Sequence, residues 1–319
     1  MNEKNQHIIE TMIVQCKSTK KLTVLQPFQL KHVYALEDIL MHNSGAGNIY
    51  YMVQNQSNIL LPGNFLLLPS RQPLTIAWCT PNAPCIDNQW FIDHYQAYLM
   101  PHNTAVKRSD IQPSVSFEYI SFNTLFFDYF DCFRMLHILP MALSLSHLAQ
   151  ELFQCIFNEI VQKKLGTTTM VKSALEIIII EILQKIDAQP LYANMITQKQ
   201  YSISAQEKRL LAIFSYIKKN ITNTLSNKEL ANVAHLSEDY VSQYFKAIVQ
   251  ENLQEYIVLE RMKKAIALLQ QTSLTIAQVS KEVGFHDVTY FSKRFKQLFG
   301  LPAKKIRKVE FPLLLKKEK

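Results

Sequence analysis

Between residues 20 and 125 the apolar positions come in short runs at 22–25, 49–53, 65–68, 74–78 and 116–122, separated by Pro, Asn and Gly. Brief runs rich in Val, Ile, Leu, Tyr and Phe with frequent turn signals predict an antiparallel sheet folded into a sandwich or barrel. Pro62-Gly63-Asn64 predicts a turn between two of these strands. From about Ser144 the period lengthens. Leu145, Leu148, Leu152, Cys155, Ile156 and Ile160 recur at helical spacing, with Gly166 ending that helix. A second helix runs to about Ile186, with Leu175, Ile178, Ile179, Ile182, Leu183 and Ile186 forming one apolar stripe. Ile177 and Ile180 fall off that stripe. A surface helix needs a single apolar face, so the second one is either packed under the sheet or kept for self-association.

The last hundred residues repeat themselves. Tyr240-Val-Ser242-Gln-Tyr-Phe245-Lys246 returns fifty residues later as Tyr290-Phe-Ser292-Lys-Arg-Phe295-Lys296, and upstream Leu225 and Leu236 match Leu274 and Phe285. Each copy opens with a capping box, Ser226-x-x-Glu229 and Thr275-x-x-Gln278, in which two side chains satisfy each other's orphan backbone N–H groups. Each then reads as helix, tight turn, helix. The turn falls at His235 and at Gly284, where a residue tolerant of positive φ is wanted. Val241, Phe245 and Ile248 in one copy, and Phe291, Phe295 and Leu298 in the other, are expected to face inward, with Tyr240 and Tyr290 as core aromatics. Helix, turn and helix over a buried face is the helix-turn-helix pattern, and two in tandem are far more specific than one. Residues 253–270 hold no Gly or Pro and predict a connecting helix, a stiff spacer about 27 Å long. Two recognition helices so spaced would meet successive major-groove segments, roughly 34 Å apart.

Charge sharpens this picture. Residues 207–319 hold 20 Lys+Arg against 11 Asp+Glu, whereas residues 1–206 hold 14 against 15, so the whole excess of +8 lies in the repeated third. A neutral domain fused to a basic one suggests that the second meets a polyanion. On the second helix of copy one the positions off the buried stripe are Asp239, Ser242, Gln243 and Lys246; in copy two they are Thr289, Ser292, Lys293 and Lys296, with Arg294 alongside. Gln243 suits bidentate pairing with adenine, Asp239 the N4 amine of cytosine, and Lys293 the O6/N7 edge of guanine. Lys246, Lys296 and Arg294 suit phosphates.

These residues carry a resemblance. The stretch Val283-Gly284-Phe285-His-Asp287-Val-Thr-Tyr290-Phe291-Ser292-Lys293-Arg294-Phe295-Lys296-Gln-Leu-Phe299-Gly300, with Arg261-Met-Lys-Lys-Ala265-Ile-Ala-Leu268-Leu269, resembles the DNA-binding domain of AraC/XylS bacterial transcription regulators. The chain departs from that pattern at Gln243, usually basic; at Gln250, usually Gly; and at Pro302-Ala303 and Ile306, usually Ser-Pro and an aromatic. The resemblance implies an α+β protein: a β-rich cupin-like domain over residues 1–140 and a helical dimerisation segment over 141–187. A linker over 188–206, a tandem helix-turn-helix domain over 207–308 and a basic tail over 309–319 complete it. It also implies a homodimer through residues 145–186, an activator's engagement with RNA polymerase at promoter DNA, and possible control by a small-molecule effector.

Enzymatic readings find less support. His32, His42, His94 and His102 are isolated, and Cys79, Cys85, Asp87 and His94 lack the clustering that zinc requires, so no metal, cofactor or catalytic residue is expected. Phosphate loops, nucleophile elbows and His-Glu-x-x-His are absent from the sequence. The five cysteines are scattered and odd in number, which predicts reduced thiols. A polar N-terminus and the lack of any apolar stretch near 20 residues predict a cytoplasmic protein outside the membrane. Trp78, Trp90, Phe91, Tyr95 and Tyr98 either line an apolar pocket or fill the barrel core. Two rivals remain: a cupin-type enzyme tethered to DNA, and a constitutive DNA binder with a structural N-terminal domain.

Overall fold

A computed structural model describes residues 12–101, 115–126, 130–190, 192, 207–249, 251–307 and 313–315. Two compact units emerge: residues 6–195 together with 312–319, and residues 196–311.

In the first unit the strands are β1 (Met12–Val24), β2 (Phe28–Ala35), β3 (Asp38–Asn43), β4 (Ile49–Val53), β5 (Gln56–Leu60), β6 (Phe65–Leu68), β7 (Leu74–Trp78), β8 (Leu99–Pro101), β9 (Ser116–Phe126), β10 (Phe130–Asp131), β11 (Met141–Leu143) and β12 (Leu313–Leu315). They form two antiparallel sheets. One has the order β11-β6-β3-β9-β1-β8, with β10 also on β9; the other has the order β12-β2-β7-β4-β5. Five of the strands lie where the short apolar runs placed them. The runs at 28–35 and 38–43 give β2 and β3, whose mixed polar and apolar residues had hidden their period. The sheets share an aromatic core. Phe28 stacks on Trp78 at 4.3 Å and on Phe91 at 5.2 Å, and Trp78 reaches Phe117 of the opposite sheet at 6.1 Å. Trp78, Phe91 and Tyr98 are thus core, whereas Trp90 is largely exposed. The turn before β6 has Gly63 at φ +80°, a left-handed conformation that suits glycine.

Helix α1 (Asn88–His94) and the single turn α2 (Cys132–Met135) border this core; α3 (His147–Gln162) and α4 (Thr167–Asp187) cover the first sheet as a hairpin. Ser146 caps α3 and is itself tied to α4, its N–H and hydroxyl donating to Glu181 at 2.7 and 2.5 Å. Gly166 does not end α3, as the sequence suggested. The helix stops at Gln162 on a left-handed Lys163, and Gly166, at φ +85°, opens α4. Under α3 a partly buried polar cluster lies beside apolar rings. Glu118 of β9 pairs with Lys21 of β1 at 2.7 Å and accepts from Gln154 of α3 at 2.5 Å, while His42 of β3 stands 3.6 Å away. Burial pushes the Glu118 carboxyl up, but the facing imidazole, ammonium and amide pull it further down, to about 2. Phe153 packs edge-on to Phe65 at 5.1 Å, and Lys21 lies over Phe157. On α4 the expected stripe is buried; off it Ile177 is 45 % exposed and Ile180 half-buried, so the second apolar face is only partly covered.

The second unit is helical: α5 (Glu207–Lys219), α6 (Asn227–Ala234), α7 (Glu238–Val249), α8 (Leu253–Gln271), α9 (Ile276–Glu282), α10 (Val288–Phe299) and α11 (Ala303–Ile306). Most of the expected linker, residue 191 and residues 193–206, lies outside the described residues, as does Gln250. Within the expected basic tail, residues 313–315 form strand β12, paired with β2 through Leu313↔Ala35 and Leu315↔Val33. No helix among the described residues is long and apolar enough to cross a membrane.

Candidate nucleic-acid interface

Both capping boxes close. The Ser226 and Thr275 N–H groups donate to Glu229 and Gln278 at 2.8 Å each, and the return bonds to the two hydroxyls measure 3.2 Å each. At the turns, His235 has φ +52° and Gly284 φ +87°. The two positions differ in what surrounds them. A Cβ on Gly284 would sit 2.9 Å from the carbonyl oxygens of both Ile221 and Thr222, so the loop after α5 runs directly against the second turn. Glycine is required there on two grounds, conformation and space.

Each module buries an aromatic core. In the first, Phe214 of α5, Phe245 of α7 and Tyr256 of α8 form a triangle with centroids 5.2–5.4 Å apart. In the second, Phe285, Phe291, Phe295 and Phe299 pack successively at 5.3, 5.7 and 4.7 Å. Helix α8 forms where the absence of Gly and Pro predicts it, and it is more than a spacer. It buries Leu253, Ile257, Leu259, Met262, Ala265, Ile266 and Leu269, which makes it the common core of both modules. Its Arg261 donates to Ile221 O at 2.9 Å and to Asn223 O at 2.6 Å, with the guanidinium over the Phe285 ring. Gln254 donates to Asn227 of α6 at 3.0 Å. The carbonyl partners of Arg261 lie about forty residues away, and no local sequence pattern announces them.

The second helices of the two modules, α7 and α10, present matching faces. Val241, Phe245, Phe291 and Phe295 are buried; Asp239, Gln243, Lys246, Thr289, Lys293 and Lys296 are exposed, and Ser242 and Ser292 are half-buried at equivalent positions. Lys246, Lys293 and Lys296 have no ion-pair partner among the described residues. Ile248 and Leu298, expected inside, are only partly covered.

Arg294 is paired with Glu255 of α8 at 2.5 Å, its side chain 20 % exposed. One expectation is corrected. Tyr240 and Tyr290 are not core residues; they are 47 % and 49 % exposed. Tyr290 is turned about 100° from Phe291, and Tyr240 about 100° from Val241 and about 40° from the buried Tyr244, so each stands at the edge of the buried stripe or beyond it.

The electrostatics of the modules are unequal. Helix α7 opens with Glu238 and Asp239, which favour a helix N-terminus but disfavour a nearby phosphate. Helix α10 has no acid in its first turn, and its N-cap Asp287 is engaged by the N–H groups of Thr289 and Tyr290 at 2.7 and 3.1 Å. The second module is thus the more cationic surface.

Residues 230–308 match the family described as "Helix-turn-helix domain". The region is a helix-turn-helix domain of the AraC/XylS type. The chain is 29 % identical over 140 residues to the Msm operon regulatory protein of Streptococcus mutans, covering 44 % of this chain and 50 % of that one. To the F1 operon positive regulatory protein of Yersinia pestis it is 30 % identical over 101 residues, covering 31 % and 34 %. The chain thus spans half the length of the first relative and about a third of the second. In fold it is similar to the crystal structure of ToxT from Vibrio cholerae O395, with a TM-score of 0.50 and 12 % identity over 94 % of this chain and 99 % of that chain. That likeness concerns fold alone, a β-rich part followed by helices. The AraC-type domain supplies the solvent-facing, lysine-bearing helices, and its internal packing sets their mutual orientation.

Proposed function

We propose that this chain is a sequence-specific DNA-binding transcription regulator, an activator whose two helix-turn-helix modules occupy adjacent major-groove segments of promoter DNA. One observation supports it above the rest: α7 and α10 repeat the same exposed positions at an offset of fifty residues, on the part of the chain that holds all the excess positive charge. In this reading the centres of the exposed faces, Asp239 and Gln243 on α7 and Thr289 and Lys293 on α10, meet base edges. Lys293 suits guanine O6/N7, Gln243 adenine, and Asp239 the cytosine amine. Ser242 and Ser292 flank them, and Lys246 and Lys296 neutralise phosphates. Arg294, paired with Glu255 through one nitrogen, keeps further N–H donors for a neighbouring phosphate.

The partners of this reading are double-stranded promoter DNA in the cytoplasm, RNA polymerase, and a second copy of the chain through residues 145–186, where Ile177 offers exposed apolar surface. The β-rich unit is the place for a small-molecule effector. To test the core of the reading, the purified full chain is mixed with sheared genomic DNA and the bound fragments are sequenced. Enrichment of a few intergenic segments supports it; absence of duplex binding even at about 50 mM salt, where electrostatic affinity is strongest, overturns it.

A further inference from the structure

The two exposed tyrosines each give one ring contact to the packing that buries their neighbours and leave the rest of the ring outside it. Tyr240 and Tyr290 occupy the same position in the repeat, fifty residues apart, with nearly equal exposures of 47 % and 49 %. Each ring is steadied on one side. Tyr240 packs against Tyr244 at 6.1 Å and Tyr290 against Phe285 at 6.0 Å. Among the described residues neither hydroxyl has a hydrogen-bond partner. A large aromatic left half in water, twice at the same place, points to an external partner.

Angular position says which part of a duplex that partner is. At about 100° per residue, Asp239, Gln243 and Lys246 share a face within about 60°, and Tyr240 lies roughly 60° beyond Gln243 toward the flank. Tyr290 stands in the same relation to Lys293. A helix seated in a major groove turns the centre of its exposed face to the base edges and its flanks to the sugar-phosphate walls. A phenol hydroxyl is a neutral donor suited to a phosphate oxygen, and a ring already pinned to its own module loses little freedom on docking.

Resting on the DNA-binding reading above, we propose that Tyr240 and Tyr290 are paired phosphate clamps, each donating its hydroxyl to the backbone at the wall of the groove its helix enters. They fix the register of the two modules and carry no base information.

The test uses the full chain and two probes: a mixed-sequence duplex of about 30 base pairs, three helical turns, and the tightest duplex that the wild-type chain selects from a randomised pool. Tyr240→Phe and Tyr290→Phe keep the ring and remove only the hydroxyl. Each is expected to weaken both probes by the same factor, about 5- to 10-fold. The ratio between probes stays unchanged, and so does the dependence of log Kd on log salt, because a neutral donor releases no counterion. Lys296→Ala is the contrast, lowering that slope by about 0.9. Scanning the selected duplex with methylphosphonates adds an independent readout, since the sensitive phosphate in the wild-type complex should become indifferent in the Phe variant. Wild-type affinity in both Phe variants, or a change in the ratio between probes, overturns the clamp while the DNA-binding reading stands. Failure of the wild-type chain to bind either probe overturns both.

Discussion

Gly284 shows how much one backbone atom can decide. With positive φ and two carbonyl oxygens 2.9 Å from where a Cβ would lie, Gly284→Ala must shift either the turn or the 221–222 backbone. The expected cost is about 2–4 kcal/mol, read as an early unfolding transition in urea; an unchanged midpoint would show that the loop yields freely. The lysines make separable predictions. Lys246→Ala and Lys296→Ala should weaken all duplexes alike and each lower the salt slope by about 0.9, whereas Lys293→Ala should cost about 1–3 kcal/mol of discrimination at one base position. Equal loss on selected and random duplexes would remove Lys293 from base readout. The exposed positions were legible in the sequence because a buried stripe on a helix defines its opposite face. Tyr240 and Tyr290 were not, because aromaticity argues for burial and only the angle around the helix places them at its edge. The pairing of Arg294 with Glu255 was hidden for another reason: it joins elements that the repeat treats as independent.

Individual elements follow local rules where those rules are strong. Both capping boxes, both turns and the change of period near residue 144 could be read directly, because caps and periodicity act over a few residues. Ser226→Ala and Thr275→Ala should each cost about 1 kcal/mol, nearly additively, in equilibrium unfolding. Absence of Gly and Pro predicts α8 as a helix but says nothing of its surroundings, and seven buried side chains make it a shared core as well as a spacer. Helix α3 docks on its sheet partly through the Gln154 amide, which donates to the Glu118 carboxylate. The Glu118 carboxyl is held down to about 2, below the ordinary 4.5, so its contribution to stability is complete above pH 4.5 and lost as pH falls toward 2. Glu118→Gln should therefore lower Tm at pH 7 and flatten the acid limb of the Tm–pH curve. An acid limb of wild-type steepness in that variant would assign acid sensitivity to other carboxylates.

Over the whole molecule, the division into a β-rich part and a basic helical part was visible in composition and charge. The return of the chain's end to the first unit was not. Three consecutive leucines in a lysine-rich tail give no period, and β12 exists because β2 presents an unpaired edge. Deleting residues 312–319 should lower the Tm of the β-rich unit and leave the helical unit's transition in place; a shift confined to the helical unit would contradict the pairing. Helix α8, Arg261 and the contact at Gly284 join the two modules, which should therefore engage one duplex together. Hydroxyl-radical footprinting of the full chain on its selected duplex tests that most directly. Two protected patches on one face of the DNA, about one helical turn apart, are predicted, with Lys246→Ala fading one and Lys293→Ala the other. A single patch, or one that both substitutions fade equally, would contradict the account.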